Sequence, residues 1–236
     1  MKVILSGGGT LGSVTPLLVI ADHLRASYKD LEFVWIGTKG GPEGEVIKKE
    51  GMRYIILSSG KLRRYATLLN IVDLWRLMLG FIQACAIIWR ENPNACISAG
   101  GYVSVPLHFA AWLFGVPTWI HQQDFGIGLA NRLMAPLARL ITTATVENSK
   151  EFSHKKTFFM GNPVRSDLIN GSREEADKFF KLDNKLPVVF VFGGSTGSLR
   201  INQIMIEAVD QLSSVAQIIH LTGRDRPQEL IRRAAE

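Results

Sequence analysis

The chain opens on an apolar run, Met1-Lys2-Val3-Ile4-Leu5, rich in β-branched residues and free of turn residues, the pattern of a short buried strand. Beyond Pro16, the residues Leu17, Leu18, Ile20, Ala21 and Leu24 recur at helical spacing, which predicts a helix starting near Val14 or Thr15. The alternation continues. Residues 33–36 and 54–57 read as the second and third strands, with a short helix over Val46 and Ile47 opened by the turn Gly40-Gly41-Pro42-Glu43. Residues 94–98, 118–121 and 140–142 read as further strands, separated by helices over 103–114 and 128–137; Pro106 fits the first turn of the earlier helix, Gly115 its end and Pro117 its stop. Such alternation predicts right-handed βαβ units and a parallel sheet covered by helices on both faces.

Two stretches break the rhythm. Residues 67–89 form a long helical stretch rich in Leu, Ile, Met, Trp and Phe, flanked by Lys61, Arg63, Arg64 and Arg90. A transmembrane span needs about 20 apolar residues with few charges, and Asn70, Asp73 and Arg76 argue against one. The stretch reads as a core helix whose opposite face, edged by cations, dips into an anionic membrane interface. Residues 157–160 lead into Gly161-Asn162-Pro163-Val164-Arg165, after which 166–186 turn polar and poor in strand formers, as expected of a connection between lobes. Residues 188–192 then form a strand, followed by Gly193-Gly194-Ser195-Thr196-Gly197 and a helix through Ile201, Ile204, Met205, Ala208, Val209 and Leu212. A second strand over 218–221 and a second helix over 227–235 bring the chain to about two βα units in this lobe, fewer than a Rossmann-like lobe has. The expected division is residues 1–162 and 163–236, the second lobe incomplete.

The glycine-rich stretch Gly7-Gly8-Gly9-Thr10-Leu11-Gly12-Ser13 lies between the first strand and the first helix. Its spacing satisfies the dinucleotide fingerprint, which also requires a carboxylate about 20 residues on at the tip of the second strand. That strand ends in Gly37-Thr38-Lys39, with no carboxylate at its tip, and no Gly-Lys-Ser/Thr makes the loop a P-loop. Both glycine turns instead suit an anion cradled by N–H groups at helix N-termini. Gly193-x-Ser195-x-Gly197 also matches the nucleophile elbow of α/β-hydrolases, with Asp210 and His220 in the required order, so a Ser195 esterase is a minor alternative.

Charge narrows the partners. The formal net charge of +6 over 236 residues implies an anionic partner or surface, and no nucleic-acid-binding signature is present. A hydrophobic content of 47% excludes a disordered chain. Cys85 and Cys96 sit in apolar surroundings far from any CxxC spacing and read as core thiols of a reducing compartment, with no metal site expected. The N-terminus runs straight into a strand, so no signal peptide is expected.

Taken together, the motifs resemble the MurG glycosyltransferase family: Gly8-Gly9-Thr10-Leu11-Gly12-Ser13-Val14-Thr15-Pro16, Gly100-Gly101-Tyr102-Val103-Ser104-Val105-Pro106 and Ala110-Ala111-Trp112-Leu113-Phe114-Gly115-Val116-Pro117. His121-Gln122-Gln123-Asp124, Gly128-Leu129-Ala130-Asn131-Arg132, Gly161-Asn162-Pro163-Val164-Arg165 and Gly193-Gly194-Ser195-Thr196-Gly197 continue the match in the same order. The resemblance implies an α/β GT-B fold, two Rossmann-like lobes with parallel sheets facing each other across a cleft. It implies an inverting hexosyltransferase, without metal or cofactor, that moves GlcNAc from UDP-GlcNAc to the undecaprenyl-linked lipid I, making lipid II for peptidoglycan. Members bind the cytoplasmic face of the cell membrane peripherally. By position, Thr10, Leu11, Gly12, Asp124, Arg165 and Ser195 would face the donor, Arg165 its uridine nucleotide and Ser195 its diphosphate, while Gly101 and Tyr102 would face the acceptor.

Three departures stand out. Ser13 occupies the place of a family His that is a candidate general base, and serine has no useful basicity near neutral pH. His121 and Asp124 are the local substitutes, each with a competing reading as a hydrogen-bonded support. Gln122 replaces a usual Glu. The nucleotide-sugar recognition segment of the second lobe is missing, so the chain reads as carboxyl-terminally truncated or as completed by a second polypeptide, and a non-catalytic, membrane-associated acceptor lobe is the alternative from another class.

Overall fold

A computed structural model describes residues 1–60, 69–194 and 197–223, apart from the side chains of 69–76 and 167. The chain divides into two compact units, Met1–Arg165 and Ser166–Glu236. Arg165, assigned to the second lobe on sequence, closes the first unit instead.

The first unit is a doubly wound sheet. Its strands are β1 (Lys2–Ser6), β2 (Glu32–Gly37), β3 (Arg53–Ile56), β4 (Ala95–Ser98), β5 (Thr118–Gln122), β6 (Leu140–Thr143) and β7 (Thr157–Phe159). They run in the order β3-β2-β1-β4-β5-β6-β7, every pair parallel. The helices are α1 (Thr15–Ser27), α2 (Glu43–Lys49), α3 (Leu69–Glu91), α4 (Ser104–Leu113), α5 (Leu129–Met134) and α6 (Val146–Lys150). Burial on both faces explains why β1 and β2 read as unbroken apolar runs: Ile4, Leu5, Val34, Trp35 and Ile36 are all fully buried. One face packs under α1, where Leu5 and Trp35 meet Leu17, Ile20 and Ala21. The other packs under α3 and α4, where Ile4, Val34 and Ile36 meet Ala84, Ile88, Leu107 and Ala111.

Local chemistry sets the ends of these elements. Pro16 sits in the first turn of α1, where its missing N–H is no loss. The Thr145 side chain accepts from the Asn148 N–H and starts α6. Gly80 lets α3 cross the loop after β3, since a Cβ there would collide with the Ser58 carbonyl. The expected start of the long helix, 67–68, and the cations Lys61, Arg63 and Arg64 lie outside the described residues. On α3 and α4, which pack together, Met78, Leu79, Ile82, Trp89, Trp112 and Leu113 stay exposed.

Two expectations are corrected. The helix predicted over 128–137 ends at Met134, because the Lys156 ammonium donates to the carbonyls of Ala135, Pro136 and Ala138 and stabilises a turn there. The polar stretch 166–186 is not plain connection: it holds α7 (Ser166–Ile169) and α8 (Arg173–Phe180). Ser172 caps α8 by accepting from the Glu175 N–H, half of a capping box legible as Ser-x-x-Glu.

The rest of the second unit is β8 (Val188–Phe192) beside β9 (Gln217–Leu221), parallel, with α9 (Leu199–Ser213) between them in sequence. Residues 224–236, including the helix expected over 227–235, lie outside the described residues, as does Ser195 with its neighbour Thr196.

Candidate functional site

In the first unit, the chain winds outward from β1 to β2 and β3, then returns to place β4 on the other side of β1. The strand order reverses at β1 and β4, and in open α/β sheets ligands bind outside the carboxyl ends of strands at that point. Loop 7–13 leaves β1 here, loop 99–103 leaves β4, and Gln123 and Asp124 follow the neighbouring β5. A pocket of about 140 Å³ lies among these loops, walled by Gly8, Thr10 and Ser13, by Gly100 and Gly101, and by Gln123, Asp124 and Asn131.

Glycine is required where the first two loops touch. Gly101 has φ +96°, and a Cβ on it would lie 3.3 Å from the Gly8 carbonyl oxygen. A Cβ on Gly8 would collide with the Glu43 carboxylate. Ser104 ties the strands beneath, its hydroxyl donating to the carbonyls of Ser6 and Gly100. Ser13 is buried, its Oγ within reach of the Thr10 carbonyl at 3.5 Å.

Loop 7–13 is not the simple phosphate cradle its glycines suggest. The Gly9 N–H donates to Glu43 Oε2 at 3.2 Å, and the Val14 and Thr15 N–H groups both donate to the Leu11 carbonyl. The tip of β2 does carry a carboxylate, contrary to the sequence reading. It comes from Glu43, at the start of α2, whose Oε1 accepts from the Thr38 N–H at 2.9 Å. That group is fully buried and occupied, so it offers nothing to a ribose.

The predicted site residues separate into groups. Thr10, Ser13, Gly101 and Asp124 wall the pocket, and Gly12 lies beside Thr10 and Gln123. Leu11 turns inward and packs on the core under α1. The Tyr102 ring lies beneath Gly9, 3.0 Å from where a Cβ would stand, and its hydroxyl shares a hydrogen bond with Thr38. Arg165 is exposed at the end of the first unit, and Ser195 lies outside the described residues. The esterase partners do not meet: Asp210 is exposed on α9, and the His220 Nε2 pairs with Asn202 Oδ1 at 3.0 Å.

His121 and Asp124, the two substitutes for a missing base, differ in kind. The His121 ring is buried, with Nδ1 2.9 Å from Thr142 Oγ1 and Nε2 3.1 Å from Asn162 Oδ1. The Trp119 indole can only donate, and it donates to Thr142 Oγ1 at 2.8 Å. Asn162 Oδ1 only accepts, so the neutral ring carries its proton on Nε2 and its Nδ1 accepts from the Thr142 hydroxyl. Burial pushes this imidazole below its usual pKa, against a smaller upward pull from Asn162, and the neutral ring ties β5 to the 161–163 segment. Asp124, by contrast, is exposed, and its backbone is fixed: Gln122 Nε2 and Asn148 Nδ2 each donate to its carbonyl at 2.7 Å.

Gln122 explains its own identity. Its amide also donates to the Gly126 carbonyl at 3.2 Å, so a carboxylate, which only accepts, could not hold this loop in the same way. Its Oε1 accepts from Asn131 Nδ2 at 2.7 Å, which fixes the orientation of the Asn131 amide. Asn131 Oδ1 is then left buried against Gly100, in the pocket wall, with no partner. The Gly128–Arg132 motif by itself gives Asn131 no role, and the position of Asn131 within it is the available sequence signal. Among the described residues, no group of three or more His, Cys, Asp or Glu side chains is arranged to hold a metal ion.

An all-parallel sheet with a glycine-walled pocket at its switch point, followed by a second unit with its own strand, glycine turn and helix, is the architecture of the GT-B glycosyltransferases. A crystal structure of MurG from Acinetobacter baumannii shares this fold, with a TM-score of 0.68 at 22% identity over 100% of this chain and 62% of that one. The glycosyltransferase family 28 N-terminal domain matches residues 3–143, and the glycosyltransferase family 28 C-terminal domain matches residues 188–235. The chain belongs to glycosyltransferase family 28. Its curated relatives include two proteins named UDP-N-acetylglucosamine–N-acetylmuramyl-(pentapeptide) pyrophosphoryl-undecaprenol N-acetylglucosamine transferase. The one from Clostridium kluyveri is 37% identical over 97% of this chain, and the one from Shouchella clausii 39% identical over 94%. The chain spans 64% and 62% of their lengths.

Proposed function

We propose that the chain provides the acceptor side, and part of the donor side, of an inverting, metal-independent GlcNAc transferase that uses UDP-GlcNAc and lipid I and serves peptidoglycan synthesis. The observation that carries this reading is that the family 28 N-terminal match spans every loop that walls the pocket. The names of the relatives supply the substrates.

Asp124 is the group that takes the acceptor hydroxyl's proton, because it is a carboxylate residue of the pocket wall whose backbone is clamped from two sides. Ser13 is too weak a base for that step and is a wall residue. His121 is a support, both ring nitrogens being engaged. Asn131 Oδ1 gives the pocket an acceptor for a hydroxyl or amide donor of the sugar. Arg165 and Ser195 keep the nucleotide roles that the resemblance gives them, stabilising charge on the departing UDP.

The exposed apolar residues of α3 and α4 support a peripheral seat on an anionic membrane face, and among the described residues no helix is long and apolar enough to cross a membrane. UDP release from UDP-GlcNAc with a lipid I analogue, by the chain extended at its carboxyl end to the length of its curated relatives, tests the reading. Asp124→Asn should lower kcat at least about 100-fold and Ser13→Ala only a few-fold. No transfer by that extended chain, folded and with both substrates present, overturns the activity, and an unimpaired Asp124→Asn overturns the assignment of the base.

A further inference from the structure

Glu43 is the most heavily bonded side chain near the pocket, yet it is not part of the pocket wall. It is fully buried at the start of α2. On one side, Oε1 accepts from the Thr38 N–H at 2.9 Å and the Thr38 hydroxyl at 2.5 Å, just past the end of β2, while the Tyr54 hydroxyl, 3.3 Å away, donates to the Thr38 carbonyl at 2.8 Å. On the other side, Oε2 accepts from the Gly9 N–H at 3.2 Å. The carboxylate is thus anchored in the sheet at one oxygen and reaches the glycine loop with the other. A Cβ on either Gly8 or Gly41 would collide with it, so two glycines keep its place open.

We propose that Glu43 is a positioning residue of the pocket: its carboxylate sets the conformation of loop 7–13 by holding the Gly9 amide, and so places Thr10 and Ser13 in the pocket wall. The loop needs such a hold. Gly9 stands at φ +85°, a region open to glycine in many conformations, and no regular element fixes it between β1 and α1. The charge remains on the group: burial pushes its pKa up, but the Thr38 hydroxyl and N–H, its own N–H and the Gly9 N–H outweigh burial and hold it below the ordinary glutamate value. The titratable groups facing it are Tyr54 and Tyr102, both pushed upward, first by burial and then by this same charge, so both stay neutral. The assignment holds for whatever ligand the pocket takes.

Glu43→Gln isolates the effect. The Thr38 N–H and hydroxyl both donate to the Oε1 position, so the amide oxygen belongs there and the NH2 falls opposite the Gly9 N–H, donor against donor. Packing and anchor are kept while one bond is lost. By amide hydrogen exchange at neutral pH, Gly9 should exchange at least about tenfold faster in Glu43→Gln, with β1 and β2 amides unchanged. An unchanged Gly9, or an acceleration spread evenly over β1 and β2, overturns the proposal, the second because it marks a merely structural role. In the unaltered chain, the Glu43 carboxyl carbon and the Gly9 amide proton should titrate together in acid with one midpoint. A Gly9 amide that ignores that titration overturns the proposal independently of how the variant folds.

Discussion

His108 lies on α4, wholly buried, and neither of its ring nitrogens has a hydrogen-bond partner. Burial pushes its pKa from 6.5 down to about 3, so the ring stays neutral in the folded chain. The sign of the linkage follows. Between these two values the unfolded chain holds a proton that the folded chain does not, so stability rises with pH over this window and falls toward acid. His108→Leu should therefore raise stability at pH 7 by about 1–2 kcal/mol in urea unfolding and flatten the loss toward acid; an equal or lower stability at pH 7 would count against it. Residues at the pocket were legible to different degrees for physical reasons. Ser13, Gly101 and Asp124 could be read because they stand on glycine-marked turns behind apolar runs. Glu43 could not, because an acid after Gly-Gly-Pro reads as an ordinary first-turn residue of a helix, and its role depends on Gly8 approaching from 35 positions earlier in the chain.

Among elements, α3 and α4 present the clearest surface anomaly. Ile82, Trp89, Trp112 and Leu113 are 63%, 76%, 57% and 59% exposed, values at which a soluble surface gains nothing from such large apolar groups. If these helices seat on lipid, the chain should sediment with vesicles containing anionic lipid, and Trp112→Glu with Leu113→Glu should abolish sedimentation while leaving the Tm within about 2 °C, exposed changes costing little. Unaltered sedimentation would remove this pair from the membrane contact. The strands of the first sheet were legible because burial on both faces demands uninterrupted β-branched and aromatic runs between turn residues. The helix α8 was not, because none of its described side chains is buried and its stretch therefore lacks the apolar density that marks a core helix. Its capping serine was the remaining signal. Strand β7 is hard to read for a similar reason: Phe158 and Phe159 are exposed on a strand that, among the described residues, is the edge of the sheet beside β6.

At the scale of the whole molecule, the two units differ in how far they bury themselves. In the first, β1 and β2 carry Ile4, Leu5, Val34, Trp35 and Ile36 at 0% exposure. In the second, no residue of β8 or β9 is buried, and Phe190 and Phe192 stack on each other with ring centroids 5.3 Å apart while each stays more than half exposed. A parallel pair with open faces is marginal on its own. A fragment of residues 1–165 should therefore unfold cooperatively in urea with a normal near-UV spectrum, whereas one of 166–236 should bind a hydrophobic dye and show no cooperative transition. A cooperative second fragment would contradict this division of stability.

The glycine wall of the pocket also has a bearing on drug resistance. Resistance by point substitution requires a side chain that can change while the protein still folds. Gly8 cannot gain a Cβ without meeting Glu43, while Gly100 and Gly101 hold φ angles of +90° and +96° that other residues rarely adopt. A compound that reads the peptide groups of these three residues would face a surface with few viable escape mutations.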